Sequence, residues 1–200
     1  MILVLASKNQ GKIKEIETAL VIPSLTYKSL NDFPNLPEII EDGPSFLKNA
    51  LKKARTISNR IQLPVLADDS GLEVDRLQGA PGIYSARFAG SQATDQENNE
   101  KLLALLKGVP EAKRTARFVC NLVLYTPSGK WFQTEGICEG RIALAPKGDQ
   151  GFGYDPIFYL PEFQKTMAQL PLKIKNQISH RARALEKIRP HLVSLLKSSS

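Results

Sequence analysis

Residues 2–12 read ILVLASKNQGK, and this stretch decides the class of fold. It begins with a continuous apolar run, which has the length of a strand that is buried on both faces. After a polar turn, Ile13, Ile16 and Leu20 recur at helical spacing. A buried strand that leads directly into an amphipathic helix is typical of an α/β protein.

The same alternation continues along the chain and then gives way to a hairpin and a last helix. In chain order, the predicted elements are strand 2–6, helix 12–19, strand 25–30, helix 45–61, strand 65–67, helix 94–106, and strands 118–125 and 131–138. Ser179 is the predicted cap of the last helix, and Pro190 is expected to kink or restart that helix. We therefore predict an α/β fold in which helices flank a mixed sheet.

The chain has 200 residues, of which 42% are apolar, as in an ordinary globular protein. We predict a single domain over residues 1–197 and a disordered tail over 198–200. The first apolar run is too short for a membrane span or a signal peptide, so we expect no membrane association. Cys120 and Cys138 lie in apolar, strand-like segments, which indicates buried free thiols and a cytoplasmic location.

The positive charge of the chain is concentrated near its C-terminus. The net charge is +7, and residues 165–200 contain eight Lys or Arg against one acid, Glu186. Such a segment is able to face nucleic acid, a small anionic ligand or solvent.

The turn after the first strand has the composition of a phosphate-binding site. Its residues are Ser7, Lys8, Asn9, Gln10, Gly11 and Lys12. The N-terminus of the helix that follows offers unpaired N–H donors, and Lys12 adds a positive charge. The turn is not a Walker loop, because the spacing of that motif is absent. A helix cap with solvated lysines is the alternative interpretation.

Pairs of acidic residues occur at two places next to predicted elements. Glu41 and Asp42 lie before the second helix, and Asp68 and Asp69 end an apolar strand. Because strand side chains alternate faces, Asp68 and Asp69 should point in different directions. Magnesium takes one or two carboxylates together with phosphates and water, so Glu41 with one of these aspartates fits that ion. The alternative is an Asp-Ser-Gly turn with a local cap.

Residues 151–156 read GFGYDP and combine flexible backbone with two aromatic rings and a carboxylate. The ring of Phe152 is suited to stacking on a nucleobase, and Asp155 is able to accept hydrogen bonds from ring N–H groups. The alternative is a glycine-rich turn that enters a strand over residues 157–160.

Two further segments have the composition of contact sites. Residues 79–90 form a loop of small residues with one arginine, which permits close approach of a ligand or of another subunit. Lys175 precedes the last predicted helix, and His180 and Arg181 lie at its start, where arginine and histidine are able to donate to a carbonyl edge. An ordinary packed loop and a capped basic helix are the alternatives.

Taken in order, these motifs closely resemble the inosine triphosphate pyrophosphatase family, whose substrates are non-standard purine nucleoside triphosphates. The matching stretches are Ser7-x-Asn9-x-x-Lys12, Glu41-Asp42-Gly43, Phe46 with Asn49-Ala50, and residues 66–72, 79–87, 151–156 and 179–182. They span nearly the whole chain. Each motif alone is modest, and their shared order makes the resemblance specific.

The resemblance implies a fold, an activity and a set of site residues. The implied enzyme is a Mg²⁺-dependent, cytoplasmic hydrolase that converts ITP, dITP or XTP to the monophosphate and pyrophosphate. The implied architecture is an elongated sheet with two lobes, a central active-site cleft and a homodimer. The implied roles are phosphate binding by Ser7, Asn9 and Lys12, metal binding by Glu41 and Asp69, proton acceptance by Asp69, and base binding by Ser70, Phe152, Gly153, Tyr154, Asp155, Lys175, His180 and Arg181.

Arg181 or a backbone N–H is a candidate to contact the 6-oxo group that distinguishes hypoxanthine and xanthine from adenine. The chain departs from many relatives at residues 173–174, where they carry acids and this chain carries Lys173 and Ile174. Two alternatives remain: a related pyrophosphatase with another base preference, and a non-enzymatic nucleic-acid-binding module that uses the basic C-terminal segment.

Overall fold

The computed structural model describes residues 1–37 and 39–198. Strands β1 to β7 span Ile2–Leu5, Thr26–Ser29, Val65–Val74, Thr115–Tyr125, Trp131–Ile142, Phe158–Leu160 and Lys165–Thr166. Helices α1 to α5 span Gln10–Ala19, Phe46–Ile61, Asp95–Leu105, Leu172–Ile178 and His180–Ser198. No helix in the described part of the chain is long and apolar enough to cross a membrane.

Within the described residues, the strands form one seven-stranded sheet in the order β2-β1-β3-β4-β5-β6-β7. β1 runs parallel to β2 and to β3, with Ile2 opposite Thr26 and Val4 opposite Val65. β6 pairs antiparallel with both β5 and β7. The prediction of a mixed α/β sheet is therefore confirmed.

The chain divides into two compact units. The first unit comprises Met1–Asp69, Cys120–Gly136 and Arg181–Ser200, and the second comprises Ser70–Val119 and Ile137–His180. Each unit has its own buried apolar residues. Cys120 belongs to the first unit and Cys138 to the second, and both are buried free thiols, as the sequence indicates.

The core of the first unit follows directly from the apolar run of β1. Leu3 and Leu5 pack with Ile13 and Ile16 of α1 and with residues of α5. Val4, between them in the strand, packs instead in the cluster that contains the alanines and Ile57 of α2. Alternate strand residues point to opposite faces, so both faces of β1 are covered, and Leu3, Val4 and Leu5 are fully buried.

The polar start of α2 also follows the sequence pattern. Ser45 caps the helix by accepting a hydrogen bond from the Lys48 N–H. In α3, Thr94 and Glu97 form the predicted capping box. Each cap satisfies N–H groups that would otherwise have no partner inside the helix.

β3 and α5 are among the elements that differ from the expectation. β3 continues to Val74, so Asp68 and Asp69 lie within a strand and do not begin an Asp-Ser-Gly turn. The reason is that the strand remains buried beyond Ala67, where Leu72 and Val74 are inaccessible to solvent.

α5 runs through Pro190 to Ser198 in one continuous helix, so the proline does not restart it. Apolar residues on both sides of Pro190, including Ile188 and Leu192, are fully buried in the first unit. Of the tail expected at 198–200, Ser198 ends α5, and residues 199–200 lie outside the described residues.

Candidate active site

The turn between β1 and α1 is built around Asn9, the N-cap of the helix. Its side-chain oxygen accepts from the Lys12 N–H at 3.0 Å, and its own N–H donates to the Ser7 hydroxyl at 3.1 Å. Lys8 and Gln10 are exposed beside it, and Gly11 is half-buried. The turn therefore presents a helix N-terminus flanked by polar side chains, which is a favourable environment for an anion.

Lys12 forms an ion pair with Asp68, whose carboxylate lies 2.6 Å from the lysine nitrogen. Burial disfavours the charged lysine, but the Asp68 carboxylate outweighs that effect and raises the pKa of Lys12. Lys12 is consequently protonated at every physiological pH.

Asp68 is the centre of a buried network in the first unit. Its Oδ2 accepts from the Arg181 Nε at 2.7 Å and lies 3.2 Å from the Cys120 sulfur. Burial opposes ionisation of Asp68, but Arg181 and then Lys12 hold its pKa well below the usual range. The guanidinium of Arg181 also pairs with Glu15. Arg181 is only 2% exposed, so it is held by carboxylates of the first unit.

Asp69 has a different environment. Burial, and next the charge of Glu41, raise its pKa to about 6. Lys53 pairs with Glu41 and partly offsets this effect. The carboxylates of Asp69 and Glu41 thus lie near each other. Because like charges repel, the charge of Glu41 disfavours ionisation of Asp69.

These two carboxylates have the chemistry of a site for a divalent cation. Magnesium binds hard oxygen donors and keeps positions for water and for substrate phosphates, so two protein carboxylates are sufficient. Within residues 1–37 and 39–198, no group of three or more His, Cys, Asp or Glu is placed to hold a metal ion. Glu41 and Asp69 supply two such oxygen donors, and water and substrate phosphates would complete the coordination of the ion.

A second set of predicted residues lies in the second unit, in the aromatic loop that we define as residues 151–156. Asp155 accepts from Lys175 at 2.7 Å and from the Phe152 N–H at 3.0 Å. The Lys175 nitrogen also lies 5.4 Å from the centre of the Phe152 ring. Both charged side chains are buried, so the pair holds the half-buried Phe152 ring in place.

Gly151 makes this arrangement possible. Its φ is +88°, and a Cβ there would collide with the Asp155 carboxylate and lie 2.9 Å from the Lys175 nitrogen. Only glycine satisfies both conditions.

The remaining predicted residues of the second unit differ in their surroundings. Tyr154 is 5% exposed, and its hydroxyl donates to the Ser85 carbonyl at 2.8 Å, so its ring is part of the core. His180 stacks on Phe118, with ring centres 4.8 Å apart. Ser70 is half-buried in β3.

Sequence reasoning gave no role in the site to several residues of these networks. Lys53 contacts Glu41, Asn49 accepts from the Gly43 N–H at 2.7 Å, and Glu15 contacts Arg181. A signal was available for two of them, because Asn49 and Lys53 fall on the buried stripe of α2, where a polar residue requires a partner.

A model of the Ham1 family matches residues 3–191. A protein from Geobacter sulfurreducens, named dITP/XTP pyrophosphatase, is 50% identical over 190 residues, which cover 95% of this chain and 96% of that protein. A protein of the same name from Shouchella clausii is 53% identical over 183 residues, or 92% of each chain.

Solved structures agree. A HAM1 protein from Coxiella burnetii has a TM-score of 0.87 and 40% identity over 97% of this chain and 99% of its own. The Ham1 protein of Staphylococcus aureus has a TM-score of 0.86 at the same identity, again over 97% of this chain and 99% of its own. The resemblance drawn from the motifs is thereby confirmed, and the chain belongs to the Ham1 family.

Proposed function

We propose that this chain hydrolyses non-standard purine nucleoside triphosphates, namely dITP, XTP and ITP, to the monophosphate and pyrophosphate. The observation that carries this proposal is the 50% identity over 95% of the chain to a protein named dITP/XTP pyrophosphatase. In the reaction, a water oxygen forms a bond to the α-phosphorus, the bond from that phosphorus to the bridging oxygen breaks, and pyrophosphate leaves. The reaction would remove non-standard purine nucleotides from the nucleotide pool.

A divalent cation, which we propose to be Mg²⁺, would be held by Glu41 and Asp69. When bound, such an ion neutralises phosphate charge and lowers the pKa of bound water. Lys53 pairs with Glu41 and so orients one of the two donors.

We assign to Asp69 the role of general base, which accepts the proton of the attacking water. A general base works best when its pKa lies near the working pH, and burial together with Glu41 brings the pKa of Asp69 to about 6. Asp68 is unsuited to this task, because its ion pairs with Lys12 and Arg181 keep it ionised and occupied.

We assign phosphate binding to Ser7, Lys8, Asn9, Gln10, Gly11 and Lys12. Lys12 contributes a permanent charge, and the N–H groups of the first turn of α1 contribute donors. Phosphoryl-type transfer depends on positioning and charge neutralisation more than on covalent chemistry, so these groups suffice.

We assign the base to the second unit. Phe152 offers a stacking face, Asp155 an acceptor and Lys175 a donor, in one buried arrangement. A 6-oxopurine presents an N1–H donor beside an O6 acceptor, whereas adenine presents the opposite order. Adenine would therefore leave buried groups unpaired, and this is a strong basis for rejection. Ser70, Gly153, Tyr154 and His180 complete the proposed set of the second unit, and Arg181 of the first unit supports the site through its ion pair with Asp68.

We also propose a homodimer and a cytoplasmic location. Tyr84 is 56% exposed and carries the guanidinium of Arg87 5.1 Å from its ring centre, on the loop of small residues suited to subunit contact. Free buried thiols at Cys120 and Cys138 suit a reducing compartment.

The test is pyrophosphate release from ITP, XTP, dITP, GTP, ATP and CTP, with Mg²⁺ and with EDTA. Magnesium-dependent release mainly from the first three is the expected result. Orthophosphate release, or a preference for CTP or ATP, would overturn the proposed chemistry or specificity. Salt-sensitive binding to oligonucleotides without turnover would instead favour the nucleic-acid-binding alternative.

A further inference from the structure

Both peptide groups of Gly153 are held by side chains of α3. The Gly153 N–H donates to the Asp95 carboxylate at 2.6 Å, and the Gly153 carbonyl accepts from the Asn99 amide at 3.0 Å. Asp95 and Asn99 are four residues apart and so lie on the same face of the helix. All three residues belong to the second unit.

Gly153 is the position in the aromatic loop where such support has the largest effect. It lies between Phe152 and Tyr154, and its φ of +61° is a conformation that glycine adopts and leaves easily. Among the described residues other than its two chain neighbours, no heavy atom lies within 4 Å of the place where a Cβ would be, so packing does not restrain Gly153 there. The two hydrogen bonds from α3 therefore restrain this peptide directly, in addition to the contacts that hold its neighbours Phe152 and Tyr154.

α3 is itself well anchored, which makes it a suitable support. Its N-terminus is fixed by the Thr94 capping box, directly before Asp95. Asn98 accepts from the Ala89 N–H at 2.7 Å and donates to the Ala86 carbonyl at 3.2 Å. These contacts tie the helix to the segment before it, so α3 has its own anchors apart from the aromatic loop.

We propose that Asp95 and Asn99 are positioning residues that set the selectivity of the enzyme for the purine base. They act through Gly153, whose orientation sets the position of the Phe152 ring together with the Asp155–Lys175 pair. The inference rests on the proposed function, because the aromatic loop is there assigned to the base. Neither residue needs to touch the nucleotide.

The test uses the full chain and the variants Asn99→Ala, Asp95→Ala and Asp95→Asn. Asparagine at 95 keeps a side-chain oxygen that is able to accept from the Gly153 N–H, so this variant is the conservative rescue. Gln96→Ala is the matched control on α3, because Gln96 is exposed and bonds only its helix neighbour Glu100 among the described contacts. The measurements are kcat and KM for dITP and GTP, inhibition by IMP and by inorganic tripolyphosphate, and the Tm.

Loss of one positioning hydrogen bond should weaken IMP inhibition, raise the KM for dITP about tenfold and reduce the preference for dITP over GTP in the two alanine variants. Inhibition by tripolyphosphate, which has no base, should stay within about twofold of the unaltered protein. Asp95→Asn and Gln96→Ala should resemble the unaltered protein in both respects.

Two results would overturn the inference. One is an equal loss of IMP and tripolyphosphate inhibition, which would indicate a general structural defect. The other is unchanged IMP inhibition and unchanged dITP-to-GTP preference in both alanine variants. If the unaltered protein hydrolyses none of the triphosphates, the proposed function itself fails, and the inference fails with it.

Discussion

Asp68 and Asp69 are consecutive residues of β3, yet their carboxylates lie in opposite electrostatic environments. Arg181 and Lys12 hold the pKa of Asp68 well below its usual range, whereas burial and Glu41 raise the pKa of Asp69 to about 6. The alternation of strand side chains produces this difference, because each carboxylate faces its own set of neighbours. One carboxylate is thus kept as a fixed charge and the other is able to exchange a proton near neutral pH.

Asp69→Asn should stabilise the metal-free protein at alkaline pH while it abolishes turnover. A folded-state pKa raised to about 6 means that the Asp69 contribution to stability is present below about pH 4 and is lost as the pH rises through 6. The neutral amide avoids that loss, which is worth at most ~3 kcal/mol at pH 8. Urea unfolding of both proteins at pH 5 and pH 8, in EDTA, measures the difference.

The gain should shrink at pH 5, where Asp69 is itself largely protonated. Equal stabilities at pH 8 would contradict the raised pKa of Asp69. Unchanged turnover would contradict its assignment as base and metal ligand, whichever way the stabilities fall.

Affinity for Mg²⁺ should decline as the pH falls through 6. A proton on Asp69 competes with the cation, so each unit of pH below 6 should weaken binding by up to about tenfold. Titration calorimetry from pH 5 to pH 8 gives the dependence directly. Affinity that is constant across this range would exclude Asp69 as a ligand.

Arg181→Ala should destabilise the first unit and reduce turnover of all purine substrates in similar proportion. The substitution leaves Asp68 and Glu15 as buried charges without the arginine, and loss of one partner of a buried pair costs about 3–5 kcal/mol. Glu15→Gln added to Arg181→Ala should recover part of the stability, since it removes one of those charges. Urea unfolding and the rates with ITP and ATP are the measurements.

A selective change in the ratio of ITP to ATP turnover, with stability retained, would reverse this interpretation. Arg181 would then contact the base, as the resemblance implies, and its ion pairs would be secondary.

Gly151→Ala should impair base binding because a methyl group there displaces the Asp155–Lys175 pair. Gly129→Ala is the matched control, since Gly129 has a similar φ of +85° but its added Cβ would meet only the Tyr125 hydroxyl at 3.9 Å. Both variants carry the backbone strain of a side chain at positive φ, about 1 kcal/mol or more. Only Gly151→Ala should raise the KM for dITP by about tenfold or more.

Comparable KM values for the two glycine variants would show that backbone strain, and not the displaced ion pair, determines the effect. Steady-state kinetics at fixed Mg²⁺ and a Tm for each variant separate the two causes.

Much of the secondary structure was predictable because its signals are local. The apolar run of β1, the helical spacing of Ile13 and Ile16, and the capping box at Thr94 depend on residues close together in the chain. The end of β3 was not predictable in this way. Asp68 and Asp69 are atypical strand residues. They remain in β3 because Lys12, far away in the chain, pairs with Asp68, and because buried apolar residues after Asp69 continue the strand to Val74.

Composition and ordered motifs are properties of the chain alone, and they are enough to establish the class of fold, the family and the two sets of candidate residues. How these residues divide their tasks depends on contacts that exist only in the folded chain. Asp68 meets Lys12 across 56 positions and Arg181 across 113, and Gly153 meets Asp95 across 58. Charge interaction and burial depend on distance in space, so the roles of Asp68, Asp69 and Gly153 became apparent only when the chain was folded.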